Sequence, residues 1–98
     1  MRLKNYKDDL KQRLGDPGYA AEYLAQVLAE KDSAAFLIAL KDVVEAGGGL
    51  GRLAGRVRLK RPSLYKILSK NGNPTLETLQ EILEPLGLRV SVTLDKAA

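Results

Sequence analysis

Residues 51–74 read GRLAGRVRLKRPSLYKILSKNGNP, and the fold turns on how this stretch is read. It carries seven basic side chains, Arg52, Arg56, Arg58, Lys60, Arg61, Lys66 and Lys70, and no acidic one. Its apolar residues are nevertheless spaced for packing. Leu50, just upstream, recurs with Leu53, Ala54 and Val57 at intervals of three and four, which predicts a short helix of about two turns. After a break near Arg58, Leu64, Ile67 and Leu68 predict a second short helix. Small Ala54 lets the second helix cross closely, Val57 and Leu59 flank the turn, and Leu64 and Ile67 anchor the second helix from beneath. This is the helix-turn-helix pattern, which lays the N-terminal part of its second helix in the major groove of DNA. It leaves Lys60, Arg61, Pro62, Ser63, Tyr65, Lys66 and Ser69 facing away from the core.

The net charge of +4 hides a strong asymmetry. Residues 46–76 amount to +7, whereas the rest of the chain holds nine basic and twelve acidic residues and sums to −3. A mildly acidic body with one basic block points to a polyanionic partner. The plain alternative is a solvated basic surface, and what separates the two is that these cations sit on a patterned helix pair.

The 98 residues are expected to form a single domain, with N-terminal helices in residues 1–31, a helix-turn-helix core in 32–87 and a strand in 88–94. With 45% apolar and 29% charged residues, the composition is that of a folded chain. The absence of Cys and His removes disulfides, thiolate and imidazole metal ligands and the usual nucleophile–base pairs, so no enzyme, cofactor or metal site is expected. No apolar run approaches the roughly 20 residues that a membrane span needs, which makes a cytoplasmic location the expectation.

Upstream, Tyr6, Leu10 and Leu14 predict a helix over about residues 5–14, stopped by Gly15. Asp16 and Pro17 read as an N-cap and first-turn proline, opening a second helix with the stripe Ala20, Tyr23, Leu24, Val27 and Leu28. Asp32 or Ser33 caps a third, where Phe36, Leu37, Leu40, Val43 and Val44 face inward until Gly47, Gly48 and Gly49 end it. Downstream, Thr75 caps a last helix with Leu76, Leu79, Ile82, Leu83 and Leu86 inward, weakened by Pro85 and stopped by Gly87. The architecture is therefore mainly α, with five to six helices. In residues 88–94 the period changes to two, since Leu88, Val90, Val92 and Leu94 alternate with Arg89, Ser91 and Thr93, which predicts a half-buried strand. The economical partner for its backbone is the same strand of a second copy, giving a two-fold homodimer.

Other motifs carry less. GLGRLA, residues 49–54, matches the G-x-G-x-x-A dinucleotide fingerprint, but it follows a helical stretch instead of a strand, and position 71 is Asn where an acid is needed. Asp8 with Asp9, and Glu81 with Glu84, could be imagined as paired carboxylates; with no third ligand they read as solvated helix faces. Tyr19, Tyr23 and Phe36 recur at helical spacing and read as core.

Three strings, AAEYLAQVLAEKD, FLIALKDVVEAGGGLGRLA and LYKILSKNGNPTLETLQEILEPLGLRVSV, resemble the HigA-like addiction module antidote family of antitoxins, whose helix-turn-helix is of the Xre, lambda-repressor-like type. The resemblance implies a small DNA-binding antitoxin that neutralises a RelE/ParE-like (HigB-type) toxin and, as a dimer, represses their shared promoter. The antitoxin's implied partners are double-stranded operator DNA and a cognate protein toxin; the alternative is a stand-alone Xre-type regulator of phage or host origin, with no toxin. By position, it implies base contacts from Arg61 and Lys66, with Ser63 and Pro62 secondary, and phosphate contacts from Arg52, Lys60, Ser69 and Lys70. Arg56 and Arg58 fit either phosphate binding or solubility. Arg58 stands where such turns usually hold Gly in a left-handed conformation, so it is expected to strain or open the turn.

Overall fold

The computed structural model describes residues 6–95, and within them the chain folds into six α-helices. Asn5, expected to begin the first helix, lies outside the described residues. Helix α1 (Tyr6–Leu14) has Asp8 and Asp9 in its first turn and Lys11 and Arg13 in its last, matching the helix dipole. Arg13 Nε also pairs with Asp9 Oδ2 at 3.2 Å. Helix α2 (Pro17–Ala29) is capped by Asp16, whose carboxylate accepts from the Tyr19 amide at 3.3 Å. Helix α3 (Ser33–Ala46) is capped in the same way by Asp32, which accepts from the Ala35 amide at 3.0 Å and so settles the choice between Asp32 and Ser33. Gly48 and Gly49, at φ 116° and 92°, turn the chain out of α3 with angles that side chains resist.

Helix α4 (Leu50–Ala54) is shorter than its apolar spacing predicts, because Gly55 is a poor helix former and stops it. The Arg56 and Val57 amides still fold back onto the Leu53 carbonyl, at 2.9 and 3.1 Å. A six-residue turn, residues 55–60, leads to helix α5 (Arg61–Ile67). Arg58 does not adopt left-handed angles: among the described residues the non-glycine with positive φ is Lys31, at 61°. A turn of this length reverses the chain with ordinary angles, so the turn is open, as expected, and Arg58 carries no left-handed strain.

Helix α6 (Leu76–Leu83) starts at Thr75, whose hydroxyl accepts from the Thr78 amide at 3.1 Å. Pro85 has no N–H, and its ring would meet the carbonyl of Glu81, so the helix tightens into a single 3-10 turn over Glu84–Leu86. Gly87, at φ 78°, then ends it, and the Leu88 amide returns to the Leu83 carbonyl at 3.1 Å.

One apolar cluster draws on α1 through α6, and its least exposed large side chains are Leu40 and Val44 of α3, Leu64 of α5, Leu68 just beyond it and Ile82 of α6. Tyr19, Tyr23, Phe36, Ala54, Val57, Leu59 and Ile67 pack around this centre half-buried. Burial, and then the nearby Asp42 carboxylate, raise the Tyr23 phenol above its ordinary range. No polar or charged residue is buried among the described residues.

Three stripe residues depart from expectation. Tyr6, Leu28 and Leu76 are exposed, and each stands at or next to the end of its helix. The larger correction concerns residues 88–94. They form no strand: Leu88 packs on the core, but Val92 and Leu94 are 95% and 87% exposed. Alternation sets which side chains share a face, yet a strand also needs a ladder partner, and the rest of the described chain is helix and turn.

Two substitutions test this packing. Leu64→Ala removes the side chain at the centre of the core and should cost about 2–5 kcal/mol, read as a lower urea midpoint. Gly72→Ala should cost about 1–3 kcal/mol, because a Cβ at Gly72 would run into the Ile67 carbonyl oxygen, a backbone atom with little freedom to move.

Candidate nucleic-acid interface

At ~100° per residue, α5 divides by face. Leu64 and Leu68 are buried with Ile67 half-buried beside them, whereas Arg61, Pro62, Ser63, Tyr65 and Lys66 are exposed. Pro62 and Lys66 occupy the middle of the outer face, with Arg61 and Ser63 on its two flanks. All four residues expected to contact bases are thus brought together on one short helix. Pro62 falls in the first turn, where its missing N–H removes no intrahelical bond.

Arg61 is the most constrained of the four. Its Nη2 donates to the Tyr65 hydroxyl at 3.3 Å, and its Cζ lies 5.7 Å from the centroid of the Tyr65 ring. The same guanidinium reaches over α4, 3.8 Å from where a Cβ on Gly51 would stand. Sequence reading placed Tyr65 on the outer face but gave it no role; its spacing of four from Arg61 was the available signal.

The residues expected to hold phosphates are more dispersed. Lys60 is the extended residue that precedes α5, and Lys70 follows the helix in the turn that leads to α6; both are exposed. Ser69 is half-buried, and its hydroxyl donates to the Lys66 carbonyl at 2.8 Å, which directs that hydrogen to the helix end. Arg52 lies apart from α5. A Cβ on Gly48 would meet the Arg52 Cδ at 2.5 Å, so its stem lies across the bare glycine. With Arg56 it lines a cleft of about 190 Å³ walled by Leu14, Pro17, Ala20, Val43, Leu53 and Leu86.

Arg56 and Arg58 share a groove with acidic residues distant in sequence. Both line an open groove of about 600 Å³ with Glu81, Glu84 and Pro85. Acidic side chains of α6 and the turn after it therefore border this part of the basic block, whereas Lys60, Arg61, Lys66 and Lys70 lie on and around α5. No group of three or more acidic side chains able to hold a metal occurs among the described residues. The glycine fingerprint at residues 49–54 opens α4 directly out of α3, without the preceding strand that dinucleotide binding requires.

A protein-family model described as "Probable addiction module antidote protein" matches residues 4–94. The chain belongs to this antidote family. A relative from Haemophilus influenzae, described as an uncharacterized protein, is 30% identical over 97 residues that span 99% of this chain and 97% of its own. No solved structure matches the chain. Membership gives the chain the role of an addiction module's antidote, with a toxin as its implied partner, and none of the helices among the described residues is long and apolar enough to cross a membrane.

Proposed function

We propose that this antidote is a DNA-binding antitoxin of a type II toxin–antitoxin module, in which α4 and α5 act as a helix-turn-helix of the Xre type. One observation carries the proposal: a short helix anchored by Leu64 and Leu68 presents Arg61, Pro62, Ser63 and Lys66 on one outer face, with Lys60 and Lys70 at its two ends. Guanidinium and ammonium groups on the exposed side of one short helix suit the major groove and the phosphates that border it. In this reading Arg61 and Lys66 meet base edges, with Ser63 and Pro62 beside them. Lys60 and Lys70 bind phosphate, and Arg52 and Ser69 take a lesser part because the Arg52 stem is held on Gly48 and the Ser69 hydroxyl is turned to Lys66.

The protein neutralises a RelE/ParE-like (HigB-type) toxin encoded beside it and represses their shared promoter, by binding and without catalysing a reaction, in the cytoplasm. The exposed Val92 and Leu94 support a homodimer as the form that meets two operator half-sites, since a second copy would cover them.

Expression of the neighbouring short reading frame tests the antitoxin half of the proposal. Growth arrest that is relieved only by co-expression of this chain is the expected outcome; a harmless neighbour that forms no complex would favour a stand-alone regulator instead.

DNA binding makes two further predictions. Arg61→Ala should weaken binding to a preferred duplex by about 1–3 kcal/mol and relax the preference at one base pair. Equal loss on preferred and scrambled duplexes, measured by fluorescence anisotropy, would remove Arg61 from the base readers. Lys70→Ala should weaken every duplex alike and lower the slope of log K against log salt by about one; an unchanged slope would remove Lys70 from the phosphate contacts.

A further inference from the structure

We propose that Tyr65 positions Arg61 for base reading, so that sequence preference at one base pair belongs to the Arg61–Tyr65 pair and not to Arg61 alone. This rests on the DNA-binding reading above and adds to it a residue that neither the sequence pattern nor the family description assigns.

An exposed arginine at the start of a helix has many rotamers, and most of them aim its guanidinium away from any one base. Ordering it on binding costs conformational entropy, which contacts already made in the free protein reduce. Arg61 has such contacts on one side and room beside a bare glycine on the other. The Tyr65 hydroxyl accepts from Nη2 at 3.3 Å, and the ring lies 5.7 Å from Cζ, within cation–π range. On the other side the guanidinium approaches Gly51, the α4 residue that offers it no side chain to compete with.

The tether leaves the reading chemistry intact. One of the five guanidinium N–H groups is engaged by Tyr65, and the rest still provide a fork for the O6 and N7 of guanine. Because its oxygen accepts from Arg61, the Tyr65 hydroxyl proton points elsewhere and is available to a neighbouring acceptor. Tyr65 itself is 47% exposed and adds little to the core, so a change there can alter binding without unfolding the protein.

The test uses the full chain and duplexes that the wild type enriches from a random-sequence library. Binding of wild type, Tyr65→Phe, Arg61→Ala and the double variant is measured on an enriched and a scrambled duplex at several salt concentrations. Tyr65→Phe keeps the ring and removes the hydroxyl. It should lower the enriched-to-scrambled ratio about three- to tenfold, with scrambled binding, the salt slope and the thermal midpoint unchanged. In the Arg61→Ala background the same substitution should do nothing more, since the group it positions is gone.

An undiminished ratio in Tyr65→Phe, an equal loss on both duplexes, or an equal loss with Arg61 already removed would each overturn the positioning role. A wild-type chain that enriches no sequence would overturn base reading itself, and the positioning role with it, which separates that failure from the other three.

Discussion

Everything on the exposed side of α5 depends on the burial of its other side. A helix of seven residues is too short to persist in water, because nucleation is costly and few hydrogen bonds follow it. It is held instead by Leu64 and Leu68, packed among Leu40, Val44 and Ile82 with almost no exposure. Those contacts fix the helix in rotation as well as in place. With Leu64 inward, Pro62 and Lys66 must point outward, and Arg61 must fall on the flank beside α4. The core thus determines which cations a partner meets.

Rotation also explains why a continuous basic block does not become one continuous basic surface. Lys60, Arg61, Lys66 and Lys70 surround α5, Arg52 lies along Gly48 at a cleft, and Arg56 and Arg58 share a groove with Glu81 and Glu84. Each setting has its own local feature: an apolar anchor, a missing Cβ, or a groove that carboxylates also line. The sharpest local constraint falls on Arg61, the one cation of the block held by both a hydrogen bond and an aromatic ring among the described residues.

Much of this was legible in the residues, because caps and apolar periodicity are local. Asp16, Asp32 and Thr75 cap where short polar side chains precede apolar stripes, and the stripes name the core from Leu24 to Leu83. What escaped depends on groups distant in sequence or on how far an element extends. Tyr6, Leu28 and Leu76 keep the period of their helices but stand at or next to the helix ends, where they are exposed. Residues 88–94 carry a strand's alternation without a strand's hydrogen-bonding partner, and the turn before α5 is long enough to spare Arg58 a left-handed conformation. Glu81 and Glu84 lie more than twenty residues from the arginines whose groove they share, so no local pattern could join them.

Membership of an antidote family and the outward face of α5 lead to one claim, that this face is where the protein meets duplex DNA. Titration of the isotope-labelled chain with duplexes enriched from a random-sequence library, followed by amide and side-chain NMR shifts, tests it most directly. The account predicts perturbations concentrated at Lys60, Arg61, Ser63, Tyr65, Lys66 and Lys70, with α1 and α2 nearly unchanged. Perturbations centred on α1 and α2, or no binding at low salt, would contradict it.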